Sequence, residues 1–106
     1  MLAGNLNRMG TFAEQTVTAG EGGEVITGFA DRFRDWCHVR YLRGGESVMQ
    51  ARMASRRPVI LTFRDSARAR RVTSEWRVTI DGVAYEAKED PRPSEGGGFL
   101  EMLAEA

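Results

Sequence analysis

The sequence predicts a mostly β fold, a small antiparallel β-barrel or sandwich of five to six strands with one short helix, and three observations carry that prediction. Asp81-Gly82 lies between two alternating runs. It is the strongest short-range signal for a two-residue hairpin turn, because both central residues must accept positive φ. Val59-Ile60-Leu61-Thr62-Phe63 is a short, continuous apolar run of the kind that fills a buried strand. Helical periodicity is confined to one brief stretch near the middle of the chain, so little of the core can come from helices.

Taken in order, residues 1–7 read as a loose N-terminal arm. Arg8 to Thr18 holds Met9, Phe12 and Val17 among Thr and Gln, a first strand with weak alternation. Gly20-Glu21-Gly22-Gly23 is a flexible turn, since glycine accepts φ values that other residues avoid. From about Ile26 the chain is extended again, and Phe33 to Leu42 reads as a strand. Phe33, Cys37, Val39 and Tyr41 fall on one of its faces, interrupted by Asp35, with Arg34, Trp36, His38 and Arg40 on the other. A tryptophan opposite the core face implies that both faces are covered, by a helix or by a neighbouring subunit.

Gly44-Gly45 breaks this strand. Val48, Met49, Arg52 and Met53 then recur at helical spacing, with Glu46 at the start and Arg52, Arg56 and Arg57 at the end, in the sense that suits a helix dipole. One helix is expected at roughly 45–55, closed by Pro58, and the apolar strand 59–63 comes next. Residues 64–71 form a polar, Arg-rich connection. The hairpin of 74–89 then sets Ile80 against Val83, Val78 against Tyr85 and Trp76 against Ala87 on a core face. Its other face brings Arg77 to Glu86 and Glu75 to Lys88. Residues 90–98 are a loop, stiffened by Pro91 and Pro93 and loosened by three glycines. Residues 99–103 make a last strand, although their propensity would also allow a helix.

At 106 residues the chain is long enough for one domain, 1–106, with a modest core. Its formal net charge is zero, so no global field draws it to nucleic acid or to an anionic membrane. All of its basic residues but Lys88 are arginine, a skew that bidentate interface chemistry and a GC-rich genome both produce. No apolar run approaches the ~18 residues of a membrane span. The N-terminus lacks the blocks of a signal peptide. A single cysteine, Cys37, excludes an internal disulfide framework. Manufacture in the bacterial cytoplasm is the expectation.

No catalytic, cofactor-binding or metal-binding set is expected. His38 and Cys37 are adjacent, so on a strand they point to opposite faces and cannot act as a dyad. Zinc would need further Cys or His ligands. Neither glycine cluster follows a strand and opens a helix, as phosphate cradling requires. One basic segment stands out: Arg64, Arg68, Arg70 and Arg71 could touch phosphates as a DNA-proximal loop, although no aromatic lies within the connection to stack a base. Met49, Met53 and Met102, with Trp36, suit either an adaptable interface or core packing.

Together these segments resemble the phage head–tail joining family, the small head-closure or stopper proteins of tailed phages and of phage-derived gene transfer agents. The resemblance runs from Leu6-Asn7-Arg8 and the turn Gly20-Glu21-Gly22-Gly23 through the tryptophan strand Trp36-Cys37-His38-Val39-Arg40-Tyr41-Leu42. It continues with Gly45-Glu46 opening a helix, the strand 59–64, and the hairpin from Ile80 to Ala87. It implies a structural neck protein of a virion or phage-like particle. Its subunits would form a homo-oligomeric ring, six- or twelve-fold, between a portal or adaptor protein and a tail terminator or tail tube. The ring would retain packaged DNA and dock the tail. By position, the channel-gating loop corresponds to residues 43–57, with Glu46, Arg52 and Arg56 as candidate channel-facing residues. Residues 1–8, 19–27 and 90–98 would be mobile in a free subunit and fixed by neighbours. Two alternatives stand beside this reading: a small β-barrel nucleic-acid-binding protein, and a different neck position, as adaptor or tail terminator.

Overall fold

The computed structural model describes residues 5–43, 45–53 and 56–106, leaving aside the side chains of residues 46, 47, 51 and 52. The strands are β1 (Arg8–Ala19), β2 (Val25–Tyr41), β3 (Pro58–Arg64), β4 (Arg77–Ile80), β5 (Val83–Ala87), β6 (Arg92–Pro93) and β7 (Phe99–Glu105). The helix α1 (Glu46–Met53) lies between β2 and β3 in the chain. All pairings are antiparallel, in the order β3-β2-β1-β4-β5-β7-β6, and β3 also pairs with β7. That last pairing decides between barrel and sandwich. Six strands close into a ring, and the two-residue β6 pairs with the start of β7 on the edge opposite β3, the edge that β5 takes further along. Closure removes the edges that an open sheet of this size would leave.

The hairpin of β4 and β5 has the register the sequence predicts, Arg77 with Glu86, Val78 with Tyr85 and Ile80 with Val83. Asp81 (φ 51°) and Gly82 (φ 80°) turn it in the left-handed region. Trp76 extends the ladder by accepting the Ala87 N–H at 3.0 Å. The charged face differs from expectation. The Arg77 guanidinium lies 4.1 Å over the Phe29 ring. Lys88 leaves the hairpin ladder because its N–H donates to Leu103 of β7, so its ammonium sits 4.0 Å from Glu86 and 3.9 Å from Glu105 rather than beside Glu75.

The core is built from the inward faces of the six ring strands. Phe12, Cys37, Val59, Leu61, Phe63, Val78, Ile80 and Met102 are fully buried. Phe12 stacks on Phe33 (centroids 4.5 Å apart) and meets the edge of Phe63 at 5.0 Å. β3 lies between β2 and β7 and is buried on both faces except at Arg64, which accounts for its continuous apolar sequence. A 3₁₀ turn at Ala69–Arg71 adds Ala69 and Val72 to the core, with Ser66 Oγ accepting the Ala69 N–H at 3.1 Å. β7 alternates strictly between buried and half-buried positions and pairs with β3 at seven of them, so strand prevails over helix there.

One element outruns its sequence signal. β2 is a single strand of 17 residues, continuous across a bulge at Phe12/Ala13 of the β1 pairing. β4 joins β1 only over Gly10–Ala13, and β3 joins β2 only over Cys37–Tyr41. Beyond those points, among the described residues, β1 and β2 pair only with each other, as a two-stranded ribbon projecting from the barrel. Leu6, at the end of the expected arm, is buried. Trp36 is 50% exposed, so among the described residues the outer face of β2 is only partly covered there. The methionines divide: Met102 is core, while Met49 and Met53 are on the surface.

Candidate functional site

The Arg-rich connection after β3 folds back against the base of the ribbon. Arg70 grips Asp65 with two hydrogen bonds, at 2.7 and 3.1 Å. That grip holds the Asp65 carboxyl below its ordinary range and raises Arg70. Arg68 lies 5.1 Å over the Phe33 ring, donates to the Arg34 carbonyl at 3.3 Å and stands 3.7 Å from the Asp35 carboxylate. Both arginines therefore serve their own chain first. Arg64 and Arg71 are exposed and form no ion pair among the described residues.

Arg71 and Arg68 join Glu14, Arg32, Phe33 and Trp76 around a cleft of about 420 Å³. There Arg32 holds Glu14 at 2.9 Å. The aromatic component that the connection lacks is supplied by β2 and by the start of the hairpin. Sequence reasoning missed it because Phe33 and Trp76 read simply as core positions, far from the connection along the chain.

In the 43–57 segment the backbone forms α1, with the Met49 N–H donating to Gly45 at 3.1 Å. Val48 packs inward, and Met49 and Met53 face outward. The side chains of Glu46 and Arg52 lie outside the described residues. Arg56 is exposed, its guanidinium 3.4 Å from the Glu105 carboxylate. Arg57 and Ala106 exchange backbone hydrogen bonds (2.9 and 3.1 Å), so the end of the chain clamps the entry to β3. Arg56 stands at the Pro58 end of β3, and Arg64, which opens the basic connection, at the other.

Cys37 and His38 diverge as strand alternation requires, one opposite buried Phe63 and the other opposite Thr62. Burial, reinforced by the charge of Asp35, pushes the Cys37 thiol up to about 12. Among the described residues no three metal-ligating side chains come together, and no helix is long and apolar enough to cross a membrane. The described surface carries paired arginines, half-exposed aromatics and exposed valines on the ribbon.

The family model for phage head completion proteins matches residues 1–106. The chain belongs to the phage head completion protein family. Among solved structures it is similar to a chain in the virion of a native gene transfer agent particle, with a TM-score of 0.67 at 20% identity. That match covers 94% of this chain and 93% of the other. It is also similar to protein SF1141 from Shigella flexneri 2a, determined in solution, with a TM-score of 0.70 at 17% identity over 98% and 95% of the two chains. At such identities the likeness concerns the fold. No curated protein sequence matches this one. As a family member this head completion protein is a structural component of a virion, acting in closure of the head at its neck.

Proposed function

We propose that this head completion protein forms a homo-oligomeric ring, six- or twelve-fold, between a portal or adaptor and a tail terminator or tail tube. In that position it keeps packaged DNA in the head and presents the surface on which the tail docks. The whole-chain family match carries this reading. The fold supports it, because a closed barrel is a rigid block that needs no partner for its strand edges, while its ribbon, Trp36, Met49 and Met53 offer apolar surface to neighbours. A head-to-tail contact between such blocks closes naturally into a ring.

Within the ring, the 43–57 segment with Glu46, Arg52 and Arg56 is the proposed gate. Arg64 and Arg71 are the members of the basic connection free to meet DNA phosphates, because Arg68 and Arg70 already hold carboxylates. The particle is a tailed phage or a gene transfer agent.

The test is deletion of the gene in its producer, followed by electron microscopy of the particles. Tailless heads that are empty or leaking DNA are the expected result. Normal tailed particles would remove the reading.

A further inference from the structure

We infer that the β1–β2 ribbon of one subunit docks on the outer face of β2 in a second copy, an inference that rests on the ring proposed above. Charge is segregated along this chain in a way that its zero net charge hides. From Met9 to Asp31 it carries four carboxylates, Glu14, Glu21, Glu24 and Asp31, and no basic residue. From Arg32 to Arg43 it carries four arginines and one aspartate. Glu14 is neutralised by Arg32 and Asp35 by Arg68, at the base of the ribbon. What remains is an acidic tip, Glu21 and Glu24, a single acid, Asp31, nearer the barrel, and a basic stripe, Arg34, Arg40 and Arg43, all exposed and without ion pairs among the described residues.

Apolar surface follows the same division. On the ribbon Val17 is 64% exposed, Val25 70% and Ile26 52%, with Val17 and Val25 on one face by the register of β1 with β2. On the stripe, half-exposed Trp36 lies between Arg34 and Arg40 on the outer face of β2. Apolar groups bounded by acids at one place thus answer apolar groups bounded by arginines at another.

Geometry makes the contact intermolecular. At roughly 3.3 Å per residue, β2 is long enough to run the full 49 Å of the molecule, so the acidic tip and Arg40 lie toward opposite ends. A tip cannot reach its own stripe. Joining two different patches gives a heterologous contact, the kind that propagates until it closes. Among the described residues the ribbon's outer edges have no strand partner beyond Ala13 of β1 and before Cys37 of β2, so backbone pairing can add to the side-chain contact.

A charge swap on the full-length chain tests this. Glu21→Arg with Glu24→Arg, and separately Arg34→Glu with Arg40→Glu, should each weaken self-association at low salt by about tenfold or more, read by sedimentation equilibrium, with thermal unfolding unchanged. The fourfold variant should associate again. Loss without rescue overturns the interface and leaves the ring to another surface. Chains with Val25→Cys, oxidised together with chains carrying Trp36→Cys, should yield mixed disulfides, since buried Cys37 is silent. A wild type that stays monomeric and gives no such product also overturns the interface, while deletion and imaging still decide head closure independently. Undiminished association of the Arg34→Glu, Arg40→Glu variant, with loss of duplex DNA binding, would make the stripe a DNA face and overturn the docking.

Discussion

Individual residues show where this barrel tolerates no change. A Cβ on Gly10 would come within 2.9 Å of both Cys37 Sγ and Val78 Cγ1, so Gly10→Ala must push apart two buried strands. A loss of about 1–3 kcal/mol, measured by urea unfolding, is expected. Gly82 meets nothing that a Cβ would strike, yet its φ of 80° is one that alanine resists, so Gly82→Ala should cost about 1 kcal/mol through backbone strain alone. Cys37 makes a chemical prediction. Because burial lifts its pKa from 9.0 to about 12, the folded thiol should be inert to disulfide reagents at pH 8 and react once in denaturant. The sign of the linked effect follows. An acid whose folded pKa is raised contributes stability fully below its unfolded pKa, so this contribution should persist up to about pH 9.0 and disappear as pH rises toward 12. Cys37→Ala should remove that alkaline slope.

Elements divide by how many neighbours they have. β3 is paired on both sides and buried on both faces, and its amides should be among the slowest to exchange with deuterium. The distal ribbon has neither advantage. Replacing residues 17–27 with Asn-Gly, which keeps Thr16 opposite Gly28, should leave the unfolding midpoint within a few degrees of wild type, since no core residue lies there. A drop of about 10 °C or more would mean that the ribbon belongs to the cooperative unit. Such a shortened chain should nevertheless fail to self-associate, which separates folding from assembly.

For the whole molecule, zero net charge conceals an acidic end and a basic middle, and mutual neutralisation between copies would leave the assembled ring with little unpaired charge at each contact. The contact should therefore weaken as salt rises, through screening, while the barrel itself should not. Measuring association between 50 mM and 500 mM salt beside unfolding at the same concentrations checks both parts. Equal association at the two extremes would show that apolar contact alone drives it.

Much of this was written locally. The Asp81-Gly82 turn, the register of the hairpin, the apolar run of β3 and the alternation around Cys37 rest on nearest neighbours and strand period, and they are legible without a structure. The family resemblance was legible for the same reason, since it rests on the order of such segments. Other features depended on residues distant in sequence. Closure of β3 on β7 chose barrel over sandwich, and no local pattern encodes which strands meet. Arg77 lies over Phe29 of β2 and Lys88 lies between Glu86 and Glu105 of β7, contacts that bring in strands the hairpin's own register does not encode. The ribbon was hardest to read. An unburied pair of strands has no hydrophobic alternation to announce it, and its exposed valines become meaningful only once the rest of the barrel is seen to leave them uncovered.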